Sequence, residues 1–119
     1  MSGIIGTSSS RSKVIGRSQD TAKAWVNFDG TGTIAIRDSF NVSSLTDNAT
    51  GDYSVTFASN LPSTNYCLAG FVGGAALNVI GGRNVEGYNL VGSTRIGVRD
   101  ASAESWEDTS LVTLIIIGG

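Results

Sequence analysis

Carboxylates are the side chains of this sequence with the most obvious chemical potential. Glu104, Glu107 and Asp108 fall in one short stretch. Two acids facing each other across a groove are the machinery of glycoside hydrolysis, one as proton donor and one as nucleophile or base. Crowded into a single polar loop, these three read instead as solvated charge. Asp47-Asn48-Ala49-Thr50-Gly51-Asp52 has the oxygen density of a calcium loop. The calcium-loop pattern, however, needs Asp or Asn where Ala49 stands, and a distal Glu that is missing. A hairpin loop is expected there.

Histidine is absent and Cys67 is the single cysteine. His-based acid–base catalysis, transition-metal sites and an intrachain disulfide are thereby excluded. Cys67 sits in the apolar run Tyr66–Val72 and is expected to be a buried structural thiol. No G-x-S-x-G, phosphate loop or zinc spacing occurs. The sequence therefore predicts no catalytic residue, no metal and no cofactor. Asn41-Val42-Ser43 and Asn48-Ala49-Thr50 match the glycosylation triplet by chance, since nothing indicates secretion.

The elements that must position these residues are strands. The 119 residues fit one domain, and 16 Gly, one Pro and 15% charged residues describe a turn-rich β protein. Strong helix formers are scarce. From Ala24 the pattern has period two, with Val26 and Phe28 opposite Trp25. Asp29-Gly30-Thr31-Gly32 is a turn. Ile34, Ile36 and Phe40 then alternate with Ala35, Arg37 and Ser39, and Val42 to Leu45 continue past a bend. Tyr53, Val55 and Phe57 are expected to pair antiparallel with the strand before the loop. Tyr66–Val72 is apolar enough to be covered on both sides. Residues 73–92 fit short strands joined by tight turns, and Thr94, Ile96 and Val98 mark another amphipathic strand.

Leu111-Val112-Thr113-Leu114-Ile115-Ile116-Ile117 is apolar on both faces. Such a strand needs cover on both, and a second subunit is the natural cover in a domain this thin. Leu111, Val112, Leu114, Ile115, Ile116 and Ile117 are thus the expected oligomer interface. Trp106, in the acidic loop, and Tyr88, beside Arg83, Asn84 and Asn89, lie outside the clear strand pattern. Rings flanked by such groups stack on sugars, which makes these five residues the candidate ligand-binding set.

Residues 1–22 form a separate unit, an extended docking segment ahead of a knob at 23–119. Residues 1–19 carry Arg11, Lys13 and Arg17 and no acid, while the remainder holds five basic and ten acidic residues. Ile4-Ile5 and Val14-Ile15 are apolar pairs suited to ordering on a partner. Docking on an acidic protein neighbour fits three spaced charges better than nucleic acid does. No stretch approaches the ~18 apolar residues of a membrane helix, and Met1–Gly6 does not read as a signal peptide. The protein is expected to be made and kept in the cytoplasm, or to leave it by a route other than secretion, without membrane insertion.

Ala24-Trp25-Val26-Asn27-Phe28-Asp29-Gly30-Thr31-Gly32, followed by Ser39-Phe40-Asn41-Val42-Ser43-Ser44-Leu45-Thr46-Asp47 and Gly51-Asp52-Tyr53, resembles a bacteriophage tail-fibre family. That family carries A-W-V-N-F-x-G-T-G ahead of S-x-N-V-S-S-x-T-D-N-x-T-G-D-Y, and the likeness spans about residues 24–66. Ser2-Gly3-Ile4-Ile5-Gly6 and Val14-Ile15-Gly16 also resemble leaders of short phage structural proteins. The resemblance implies a trimeric virion protein with a compact, jelly-roll-like β-sandwich knob at a fibre or tail tip. It also implies tail or baseplate partners for residues 1–22 and a host-surface glycan as the ligand to test. The chain has no long shaft, so a capsid decoration protein or tail connector without a receptor role stands as the alternative.

Overall fold

Residues that alternate apolar with polar form strands where one face has a core to cover. The structure, a computed structural model, describes residues 21–74, 78–82 and 88–118. Within them the strands are β1 (Ala22–Asp29), β2 (Ala35–Phe40), β3 (Val42–Ala49), β4 (Asp52–Phe57), β5 (Tyr66–Gly73), β6 (Asn78–Gly82), β7 (Ser93–Asp100), β8 (Ser105–Trp106) and β9 (Leu111–Gly118). Two antiparallel sheets result, ordered β2-β1-β9-β5 and β3-β4-β7-β6, with β8 paired to β7. Their inner faces make one core. Val26, Phe28, Val112, Leu114 and Ile116 of the first sheet meet Tyr53, Val55, Phe57, Ile96 and Val98 of the second. Phe28 and Tyr53 pack edge to face, with ring centroids 5.2 Å apart. Each large side chain removed from water contributes about 1.5–3 kcal/mol.

The expected all-β, two-sheet architecture is present, and the Asp47–Asp52 segment is a hairpin turn between β3 and β4. Three details differ from the sequence reading. The run from Ile34 to Phe40 does not keep one face inward. Phe28 pairs with Ile36 while Asn27 pairs with Asp38, so Arg37 is an extra, bulged residue. A bulge reverses the alternation beyond it, which sets Phe40 beside Trp25 on the outer side.

Nor do β2 and β3 form one bent strand, because they belong to different sheets. Asn41 turns the corner at φ 55°, a region that Asn tolerates better than most residues. Its amide nitrogen donates to the carbonyls of Lys23 and Ser59 at 3.0 and 3.1 Å, and its side-chain oxygen accepts from the Ser59 N–H at 2.7 Å.

Finally, β5 is covered on one side only. It is an edge strand, and no third layer lies over it among the described residues. Cys67 is therefore exposed rather than buried, and Phe71 is 64% exposed.

Candidate functional site

Strand β9 separates its two apolar faces cleanly. Val112, Leu114 and Ile116 belong to the chain's own core and are not available to a partner, contrary to their place in the expected interface. The intrachain second sheet covers them. Ile115 and Ile117 point the other way and are 44% and 40% exposed. Register extends this face across the sheet, because Trp25 lies between Phe40 and Ile115, and Ala69 flanks Ile115 on its other side. Cys67 neighbours Ile117, and Phe71 neighbours Thr113. Trp25, Phe71, Ala69, Thr113 and Ile115 rim a shallow hollow of about 460 Å³. Phe40, Phe71, Ile115 and Ile117 are all exposed on this face, and contiguous apolar surface is a common mark of a contact site.

The outer face of the second sheet has the opposite character. Strand β7 directs Arg95 and Arg99 outward, with the buried Gly97 between them. Arg95 grips Asp52 through two parallel bonds of 2.8 and 2.6 Å, which gives a carboxylate only 2% exposed a bidentate partner. That bond raises the Arg95 pKa further. The Tyr88 ring lies 4.7 Å from the same guanidinium, and Arg99 stands 5.4 Å from the Trp106 ring. Trp106 is held there by a hairpin between β7 and β8. The Asp100 carboxylate accepts from the Ser102 hydroxyl and from the N–H groups of Ser102 and Ala103, an Asp-led turn. Glu104 then takes φ 55° to bring Ser105 and Trp106 back beside Asp100 and Arg99. The bond from Ser102, then that from Ala103, holds the Asp100 carboxyl below its ordinary pKa.

Of the five candidate ligand-binding residues, Tyr88 and Trp106 lie beside neighbouring outward arginines of one strand. Asn89 instead accepts from the Thr94 hydroxyl at 2.7 Å. Arg83 and Asn84 lie outside the described residues, as do Ile4, Ile5, Arg11, Lys13, Val14, Ile15 and Arg17. Sequence reasoning missed Arg95 and Arg99. Their signal was the Arg-x-x-x-Arg spacing on an alternating strand, which puts both on the polar face.

The acids singled out from sequence have separate surroundings. Glu104 is 81% exposed. Asp108 is structural, for one of its oxygens accepts from the Gly51 N–H and the Tyr53 hydroxyl, both at 2.8 Å. Burial, followed by the bond to Asp108, pushes the Tyr53 phenol well above its ordinary pKa. Its folded value thus exceeds the unfolded one near 10. The stabilisation is complete below pH ~10 and is lost as pH rises through the folded value. The melting temperature should therefore decline above pH ~10, and Tyr53→Phe should shallow that decline. A curve that stays level to about pH 11.5, or an unchanged slope in the variant, would refute this assignment. The prediction is checked by scanning calorimetry across alkaline buffers.

Among the described residues, no group of three His, Cys, Asp or Glu comes together to hold a metal ion. No family model matches the chain, and neither the curated proteins nor the solved structures include a match to it.

Proposed function

We propose that this chain is a structural protein of a bacteriophage virion, a tail-fibre or tail-tip knob. In this reading it is a jelly-roll-like sandwich that associates in threes through the outer face of the first sheet. Residues 1–22 dock it on neighbouring tail or baseplate proteins, and the second sheet is left facing outward. The observation that carries the reading is the row Phe40, Trp25, Ile115 and Ala69 running across all four strands of the first sheet. A lone soluble domain gains nothing from such a face, and an uncovered one invites unwanted association. A second copy of the chain supplies the same apolar chemistry and closes it off. The likeness to tail fibres adds the setting, since residues 24–66 supply β1 to β4 and with them parts of both sheets.

Gold-labelled antibody against the chain, applied to purified particles, tests the placement. Label at tail ends supports a fibre or tip. Label over the head selects the decoration alternative, and particles without label reject a virion role. Deleting residues 1–22 should leave a folded knob that no longer enters particles.

A further inference from the structure

We propose that the outer face of the second sheet holds a binding site for a carboxylate-bearing sugar, seated between Trp106 and the paired glycines Gly81 and Gly97. This deepens the reading above by naming a ligand, but the groove lies within one chain. Binding is measurable whether or not the protein belongs to a tail.

The site arises from register. Gly97 on β7 pairs with Gly81 on β6, and Arg99 pairs with both Val79 of β6 and Trp106 of β8. Neither glycine puts a side chain into this part of the sheet; Gly97 is itself buried, with Asp52 on its other side, and Gly81 supplies the exposed backbone near the indole. Space in front of Gly81 is open, since a Cβ built there meets no atom within 4 Å. Val79, Ile80, Gly81, Gly97, Arg99 and Trp106 enclose a hollow of about 230 Å³. That is below the roughly 300–1,000 Å³ range of drug-sized pockets and suits a single sugar ring. The face of the indole is the surface on which the C–H groups of a pyranose can lie, and the absence of a side chain at Gly81 lets the sugar approach the backbone.

Arg99 sets the charge of the ligand. Arg95, its neighbour on the same face, is already neutralised by Asp52 through two bonds. Arg99 is not held in this way. One of its nitrogens donates to the Glu104 carbonyl at 3.0 Å. The Glu104 carboxylate stays 3.9 Å away on a side chain 81% exposed, and Arg99 itself is 42% exposed. An exposed pair of that length contributes little and gives way readily. The planar guanidinium beside the hollow can then offer parallel N–H donors to a carboxylate, which is the geometry arginine suits and lysine does not.

Saturation-transfer NMR on the full chain tests this, with methyl glucuronide, methyl glucoside and sodium acetate as probes. Methyl glucuronide should bind with millimolar affinity and at least about tenfold better than either other probe. Arg99→Lys should erase most of that preference, and Trp106→Ala should abolish saturation transfer. Gly81→Leu fills the open space without touching the core, so it should block binding while the melting temperature stays unchanged. This variant separates occlusion from misfolding. No transfer to methyl glucuronide at ~10 mM, or transfer that survives Gly81→Leu, would overturn the site. Acetate binding as well as the glucuronide would overturn the sugar, and equal binding of glucoside would overturn the charge preference.

Discussion

Replacing Gly51 by alanine is expected to cost about 3–5 kcal/mol and to lower the melting temperature by more than about 10 °C. Gly51 turns the β3–β4 hairpin at φ 66°, where a side chain is strained whatever the space around it. Here the space is also filled. A Cβ would strike the Val98 carbonyl oxygen and come within 2.8 and 2.9 Å of the Glu107 backbone nitrogen and oxygen. None of these is the end of a flexible side chain. All belong to a junction tied by three bonds: Val98 N–H to the Gly51 carbonyl at 2.8 Å, Glu107 N–H to the Val98 carbonyl at 3.0 Å, and Gly51 N–H to Asp108 at 2.8 Å. Making room for one methyl must part them, at roughly 1 kcal/mol each. Gly32 provides the control. It has φ 54°, and a methyl group added there would meet nothing within 4 Å. Gly32→Ala should therefore cost only the backbone strain, about 1 kcal/mol. Urea denaturation compares the two. Equal losses would mean that the packing around Gly51 is not as described.

Ile115→Asp should convert the assembled protein to single chains while leaving each chain folded. Ile115 is 44% exposed and sits mid-strand at the centre of the outer face. Its substitution removes no core contact on the inner side, where Leu114 and Ile116 do the packing. In an assembly that covers this face, however, the new carboxylate would be stripped of water without a partner. That costs several kcal/mol, and each copy in a symmetric assembly would bear it. Val79→Asp is the matched control, because Val79 is 50% exposed on the outer side of the other sheet. Sedimentation velocity should show loss of the assembled species for Ile115→Asp and no change for Val79→Asp. If both variants sediment like the wild type, the apolar face is not the contact.

How much of this was legible in the sequence depended on whether neighbours along the chain or across it decided the outcome. Strands β1, β4, β7 and β9 announce themselves through alternation alone, since Val26 and Phe28, or Ile96 and Val98, repeat at the pitch of a half-buried strand. Which sheet a strand joins is written in no such repeat. The bulge at Arg37 and the left-handed corner at Asn41 redirect the chain through one residue each, and both follow from cross-strand pairing. The same holds for Cys67. An apolar run predicts burial, but Cys67 lies on the outer face of the first sheet beside the exposed Ile117, a face that no layer covers among the described residues. At the candidate sugar groove, Trp106 was conspicuous as an aromatic residue in an acidic loop. Gly81 and Gly97 were not, for their significance lies in standing opposite each other, sixteen residues apart in sequence.

The proposed function depends most on the first sheet's outer face being a contact between copies of this chain. Light scattering coupled to size exclusion, on the full-length protein at micromolar concentration, measures this directly. A mass of three chains is the expected result. A single-chain mass that holds across concentrations would show that Trp25, Phe40, Phe71 and Ile115 face water in the working protein, and would contradict the proposal.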